Sequence, residues 1–226
     1  MKGRVLYQGT NAIVRVDLEA GERVKAESDA MVSMSSTLDI EGKLEGGVLA
    51  GLGRMMAGEK FFFQTIHASR GAGHVLFAPS TPGDIVLLEM DGSTEYSVQK
   101  DGFLAGSDTI QVNTKMQNIF QGLFSGEGFF ILKVSGKGLL ALSAFGGIHA
   151  VDIGVGEECI IDNDHLVAWP TTTSYKIEKA SKGWISSFTS GEGLVCRFTG
   201  PGKVYIQTRN AKSFASWVKQ FIPASR

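Results

Sequence analysis

Alternation of apolar and polar residues dominates this chain and predicts strands. Between residues 12 and 18, apolar side chains alternate with Arg15 and Asp17, and a period of two is that of a half-buried strand. Short apolar runs at residues 139–142 and 204–206 have the length of buried strands. The pattern therefore predicts an all-β protein with little helix.

One short phrase occurs three times along the chain. A Gly-Glu pair leads into an apolar run, then into Gly-x-Gly, and then into another apolar run. The phrases begin at Gly58, Gly126 and Gly191, and their Gly-x-Gly pairs are Gly71/Gly73, Gly136/Gly138 and Gly200/Gly202. The Gly-Glu pairs lie 68 and 65 residues apart. A fixed period of this kind indicates internal repeats that share one core.

A second element keeps the same register. Asp29, Asp101 and Asp164 each open a strand-like run, 29, 25 and 27 residues before the Gly-Glu pair. We therefore predict a single domain over residues 1–226, built from three short two-sheet β units in a pseudo-three-fold arrangement. The predicted units cover about residues 1–90, 91–155 and 156–209.

Three connectors and a C-terminal segment depart from the strand pattern. Connectors lie between the halves of each unit at residues 46–58, 115–124 and 181–188, and the second has the 3.6-residue period of a short helix. A C-terminal helix is predicted over residues 210–223, with Asn210 or Ser213 as its cap and Pro223 as its stop. Its apolar stripe must be covered by its own body, a neighbouring subunit or a membrane surface. The stripe contains Phe214, Trp217, Val218 and Phe221.

Composition narrows the range of functions. The chain of 226 residues has 22 basic and 23 acidic residues, a net charge of -1, and no basic run of three. Nucleic-acid binding is therefore not expected, since phosphate contacts supply most of the affinity of nucleic-acid-binding proteins. No signal peptide or transmembrane segment is recognisable. Cys159 and Cys196 lie in strand-like runs, with a disulfide between them left open. These features favour a cytoplasmic protein.

Candidate chemistry is sparse. Three repeated acidic residues have two interpretations: Glu59, Glu127 and Glu192. They would form a ring around a pseudo-three-fold axis and bind a cation. The alternative, which we favour, is that they are solvated turn residues. The four histidines are His67, His74, His149 and His165. His67 and His74 would face each other across a hairpin, but no compact metal-ligand spacing is present. No nucleophile motif or phosphate loop is found. We expect no enzyme activity, no cofactor, and no catalytic, cofactor-binding or metal-binding residue.

Several phrases resemble the family named for the yeast altered inheritance of mitochondria protein 24. They occur in order at residues 54–63, 71–79, 82–85, 101–105 and 125–130, and the likeness covers most of residues 12–209. The resemblance implies a fold like that of the tryptophan RNA-binding attenuation protein, a short double-stranded β-helix. It supplies no catalytic residues. Its eukaryotic members are mitochondrial and linked to inner-membrane organisation.

These observations lead to one expected function and one alternative. The chain is expected to be a non-enzymatic, homo-oligomeric scaffold or interaction protein, because small β units leave unpaired strand edges that assembly would cover. A trimer is the first expectation. The alternative is a small-ligand or RNA-binding module with sites between units or subunits.

Overall fold

The computed structural model describes residues 1–41, 63–116, 130–179 and 194–222. This part of the chain is nearly all β, as predicted, with one α-helix near its end. The strands are β1 (Lys2–Leu6), β2 (Ile13–Leu18), β3 (Arg23–Glu27), β4 (Met31–Met34), β5 (Asp39–Glu41), β6 (Phe63–His67), β7 (Gly73–Phe77), β8 (Ile85–Asp91), β9 (Tyr96–Gln99), β10 (Phe103–Ser107), β11 (Gln111–Met116), β12 (Phe130–Ser135), β13 (Lys137–Ser143), β14 (Ile148–Ile153), β15 (Glu158–Asp162), β16 (Leu166–Pro170), β17 (Ser174–Lys179), β18 (Leu194–Thr199) and β19 (Gly202–Gln207). The helix is α1 (Ala211–Lys219).

The strands form four antiparallel sheets. Sheet A has the order β1-β2-β7-β4, and sheet B has the order β5-β6-β3-β10-β13-β8. Sheet C has the order β11-β12-β9-β16-β19-β14, and sheet D has the order β15-β18-β17. Because sheets B and C each contain strands from distant parts of the sequence, backbone hydrogen bonds tie successive segments together.

The same pairing scheme occurs three times. β7 lies between β2 and β4, β13 lies between β8 and β10, and β19 lies between β14 and β16. A second group of three strands accompanies each of these. In these groups, β6 lies between β3 and β5, β12 lies between β9 and β11, and β18 lies between β15 and β17. Two further pairings, of β3 with β10 and of β9 with β16, join these groups of strands into larger sheets.

An irregularity in the ladders recurs at the corresponding place. The pairing of β4 with β7 skips Val32, that of β10 with β13 skips Leu104, and that of β16 with β19 skips Val167. Each skipped residue lies three positions after Asp29, Asp101 or Asp164. A bulge of this kind sharpens the local twist of a strand, so the three strands bend at the same point.

In the part of the chain that the structure describes, three apolar cores lie between the stacked sheets, and sheet B contributes side chains to two of them. In β13, Leu139 and Ala141 belong to the first core, while Leu140 and Leu142 belong to the second. Successive side chains of a strand point to opposite faces. The predicted four-residue apolar run is therefore a strand covered on both sides.

The Gly-x-Gly segments are crossings between sheets. The chain passes at Gly71–Gly73 from β6 in sheet B to β7 in sheet A, and at Gly136–Gly138 from β12 in sheet C to β13 in sheet B. Gly138 has φ +135°, and a Cβ there would lie 2.5 Å from Ser107 Oγ. Glycine is required because the crossing passes against the end of β10 in a backbone conformation that L side chains rarely adopt.

One predicted unit boundary can be compared with the strands of the structure, whereas several other predicted features lie outside the described residues. β8 spans the predicted boundary at residues 90 and 91, and it pairs with β13. Lys115 and Met116 end β11, while the rest of the second connector, the other two connectors, and Gly58, Gly126 and Gly191 are outside the described part of the chain.

The predicted C-terminal helix is present as α1. The Oδ1 atom of Asn210 accepts a hydrogen bond from the backbone N–H of Ser213 at 3.0 Å, so Asn210 is the cap. This bond satisfies one of the amides left without a partner in the first turn. Pro223, the predicted stop, lies outside the described residues.

Replacement of Gly138 by alanine tests the crossing geometry. We expect Gly138→Ala to lower the free energy of unfolding by roughly 2 kcal/mol or more, because it combines an unfavourable positive φ with a steric clash. Gly147→Ala is the matched control, since its φ is not in the positive range and its Cβ would meet neighbours only at ordinary contact distance, 3.5 Å. Chemical denaturation measures both variants. Equal stability of the two would contradict the close approach.

Candidate interaction surface

The histidines occupy separate environments. His67 Nδ1 lies 2.9 Å from Glu41 Oε1, whereas His74 Nδ1 lies 3.1 Å from Ser35 Oγ. The expectation that these two histidines face each other across a hairpin is wrong, because β6 and β7 belong to different sheets. His149 is exposed on β14, and His165 donates from Nδ1 to the carbonyl oxygen of Gln207 at 2.7 Å.

The two cysteines are free thiols. Cys196 is fully buried in β18 opposite Ile161, while Cys159 is half-buried in β15 opposite Phe198. Burial, followed by the nearby carboxylate of Asp162, raises the pKa of Cys196 to about 12. Cys196 is therefore an unreactive core residue, and Cys159 is the accessible thiol of the pair.

The repeated acidic residues form no candidate metal site in the described part of the chain. Asp29, Asp101 and Asp164 lie in the turns that lead into β4, β10 and β16. Asp164 forms an ion pair with Lys212 Nζ at 3.4 Å. The residues that the structure describes contain no group of three or more side chains suited to a metal ion. Glu59, Glu127 and Glu192 are outside the described residues, so the proposed ring stays a hypothesis.

Glu27 is an acidic group that the sequence analysis missed. It ends β3, beside the turn that carries Asp101 and leads into β10. Burial, followed by repulsion from the carboxylate of Asp101, raises the pKa of Glu27 to about 7. The only available sequence signal was its place at the end of the alternating run Arg23–Glu27. We therefore expect the junction of β3 with β10 to be sensitive to pH.

Two strand edges lack the partner that their counterparts have. β10 pairs with β3, and β16 pairs with β9. β4 occupies the same place in its sheet, but it ends sheet A without a partner among the described strands. Conversely, β15 occupies the place of β3 and β9, and in the part of the chain that the structure describes it ends sheet D unpaired. A pseudo-three-fold ring closed within the chain would pair β15 with β4, and among the described strands this pairing is not made.

Side-chain exposure reflects the missing pairing. Val32 in β4 is 56% exposed, whereas the corresponding Leu104 and Val167 are 0% and 1% exposed. Ile160 in β15 is 47% exposed. Apolar residues on an open strand edge are an aggregation hazard unless another chain covers them. The exposed apolar side chains at these two edges make them a candidate interaction surface.

Helix α1 carries a second exposed apolar surface. The exposed fractions are 50% for Phe214, 55% for Trp217 and 67% for Phe221. The ring of Trp217 contacts the rings of both Phe214 and Phe221. Within the described chain, the ring of Phe214 also packs edge-on against Phe145 at 5.4 Å. This end of the helix is thus docked on the body, while most of the predicted stripe faces outward. No helix in the described part of the chain has the length and hydropathy needed to cross a bilayer.

Together these features define a protein of stacked antiparallel sheets with recurrent strand pairing and open edges. The family model described as "Mitochondrial biogenesis AIM24" matches residues 4–209. The chain therefore belongs to this family, in agreement with the resemblance found in its sequence.

The relatives span bacteria and fungi. An uncharacterized protein of Streptococcus pyogenes serotype M6, M6_Spy0233, is 36% identical over 220 residues, which cover 94% of this chain and 88% of that protein. The mitochondrial "Altered inheritance of mitochondria protein 24" of Verticillium alfalfae is 24% identical over 160 residues, which cover 70% of this chain and 41% of that protein. These names describe no enzymatic activity.

A solved structure confirms the fold along the whole chain. The crystal structure of protein SPYM3_0169 from Streptococcus pyogenes has a TM-score of 0.80 and 32% sequence identity. The match covers 98% of this chain and 99% of that one. The similarity therefore includes every sheet, and it carries no statement about activity.

Substitution of Glu27 tests the pH sensitivity of the β3–β10 junction. A carboxyl group whose pKa is raised on folding contributes stability that is full below its ordinary value near 4.5 and is lost as the pH rises through about 7. We therefore expect Glu27→Gln to raise the melting temperature at pH 8 and to change it little at pH 5. Glu89→Gln, at an exposed position of β8, is the control. An equal effect of Glu27→Gln at both pH values would contradict the assignment.

Proposed function

We propose that this protein is a non-enzymatic scaffold that assembles into homo-oligomers. The observation that carries the proposal is the pair of open edges at β4 and β15, whose counterparts are paired inside the chain. A protein that exposes half of an interface at each end is suited to build a larger structure from identical copies.

We further propose that the chain consists of three structural units, at about residues 1–84, 85–147 and 148–209. The threefold recurrence of the strand order and of the bulges at Val32, Leu104 and Val167 supports this division. The boundaries are placed before β8 and β14, rather than at the predicted residues 90 and 155, because β8 pairs with β13 and β14 pairs with β19. Each unit depends on its neighbour, since the first core includes Leu104, Leu139 and Ala141 from the second unit.

Two further observations support a non-enzymatic role in the cytoplasm. In the described residues, His67, His74 and His165 bond to three different groups and do not converge on a common point. Active sites bring several titratable groups together in a pocket. The thiols of Cys159 and Cys196 are free, which is the usual state in a reducing compartment.

The oligomeric state in solution tests the scaffold proposal. We expect native mass spectrometry and light scattering at micromolar concentration to give a multiple of the chain mass, with a trimer the first expectation, and an absorbance ratio typical of protein alone. A monomer at all concentrations would contradict the proposal. Co-purifying nucleic acid, seen as a raised 260/280 nm ratio, would instead favour the RNA-binding alternative.

A further inference from the structure

We propose that helix α1 binds the surface of bilayers that contain anionic phospholipids. The helix is separate from the strand edges of sheets A and D, and the inference holds whether or not the protein forms homo-oligomers. The family model matches residues 4–209 and ends before α1, which spans Ala211–Lys219. The helix therefore lies outside the part of the chain that defines the family.

Helix α1 buries little of its own surface. None of its nine residues is buried, and each of them except the half-buried Val218 is exposed. The chain continues from the helix into a turn, where the backbone N–H of Phe221 donates to the carbonyl oxygen of Val218 at 3.0 Å. An isolated helix of this length is marginal in water. A surface that covers its apolar side chains would therefore stabilise it.

The contacts that hold α1 on the body involve its first turn. Lys212 Nζ lies 3.4 Å from Asp164 Oδ1, and the side-chain amide of Asn210 donates to Asp164 Oδ2 at 3.4 Å. Phe145 meets the ring of Phe214, as described above. Ile222, at the far end of the turn, is 61% exposed. The helix is thus fixed at its start, and its later aromatic residues remain available to a partner.

The exposed apolar residues form one continuous face. Successive residues of an α-helix are rotated by about 100°, so the predicted stripe of residues 214, 217, 218 and 221 covers an arc of about 100°. Lys212 and Lys219 are seven residues apart and lie together on the opposite side of the helix. Aromatic residues on one face and lysines on the other are typical of helices that lie in a membrane interface.

The distribution of charge along the chain favours an anionic partner. Residues 209–226 contain four basic side chains and no acidic one, whereas the preceding 208 residues contain 18 basic and 23 acidic side chains. An anionic lipid surface attracts a basic segment and repels an acidic body. The same field would therefore bring the protein to the bilayer with α1 foremost.

The charges also disfavour a second copy of α1 as the occupant of this face. Two such helices in contact would bring Lys212 and Lys219 of each copy near those of the other, with no acidic residue in either helix to pair with them. An anionic bilayer supplies an apolar interior and negative headgroups in one surface. Nine helical residues span about 13 Å, less than half of a hydrocarbon core of about 30 Å, so α1 would lie on the bilayer.

Co-sedimentation of the full chain with vesicles tests the inference. We expect the protein to bind vesicles of about 30% phosphatidylglycerol in phosphatidylcholine, and to bind vesicles of phosphatidylcholine alone at least about tenfold more weakly. Raising NaCl from about 0.1 M to about 0.5 M should weaken the binding to the anionic vesicles, because salt screens the attraction of the basic residues.

Matched variants separate the apolar and the electrostatic contributions. W217S/F221S should weaken binding by about tenfold or more, because each exposed aromatic ring would otherwise enter the interface. Val155→Ser removes an apolar side chain that is 85% exposed in the turn between β14 and β15, and it should bind as wild type does. Lys219→Glu should weaken binding, whereas Lys176→Glu, which makes the same change of charge at an exposed position of β17, should not.

Tryptophan fluorescence reports the contact directly. We expect anionic vesicles to shift the emission to shorter wavelengths as Trp217 leaves water. Trp217→Phe should keep the binding but lose this shift, because phenylalanine is also an aromatic interface residue. Trp169 should contribute no shift, since it is already fully buried.

The outcomes separate this inference from the scaffold proposal. Equal binding to both kinds of vesicle, binding to neither, or full binding by W217S/F221S would overturn the role of α1 at an anionic bilayer. None of these results changes the oligomer mass that the scaffold proposal predicts. A folded W217S/F221S protein with a smaller oligomer mass and no vesicle binding in wild type would show that a second copy covers the helix, and would also overturn the inference.

Discussion

Hydrogen bonding along strand edges is the constraint on which the rest of this structure depends. A three-stranded sheet has two open edges, and a sandwich of two such sheets has a small core. The chain meets both needs by joining β3 to β10 and β9 to β16. Each junction closes two edges and brings strands from the next segment over the preceding core. Among the described strands, β4 in the first segment and β15 in the last keep open the edges that are joined at the two internal junctions.

This dependence explains how polarity is distributed among the sheets. The central strands β10 and β13 are covered on both faces, and they consist almost entirely of apolar and small residues. The outer sheets A and D have one covered face, so they alternate buried apolar residues with ion-paired ones such as Arg15 and Arg197. Val32 and Ile160 are exceptions to this distribution of polarity, because they are apolar and yet exposed at the open edges.

The sequence predicted the strands better than their partners. Alternation at residues 12–18 and the apolar run at 139–142 located β2 and β13, because side-chain period depends only on local geometry. Which strand pairs with β8 depends on long-range packing, and the predicted boundary therefore fell inside that strand. The prediction that His67 and His74 face each other across a hairpin was wrong for a related reason. The two Gly-x-Gly glycines suggested a hairpin, but the backbone crosses there from one sheet to another.

The candidate site was harder to predict because an open edge has no residue signature of its own. β4 resembles β10 and β16 in the spacing of its leading aspartate, and only the strand order reveals that its partner is missing. Helix α1 was predictable from the spacing of its aromatic residues. Its partial docking through Phe145 was not, because Phe145 lies in a distant connection between β13 and β14.

Hydrogen–deuterium exchange of the two edge strands, measured as a function of protein concentration, tests the central claim most directly. The account predicts that amides in residues 31–35 and 158–162 exchange slowly in the concentrated protein, approaching those of β10 and β16. On dilution these two segments should lose protection together, while the internal junctions keep theirs. Exchange of both edge segments that is fast and independent of concentration would contradict the account.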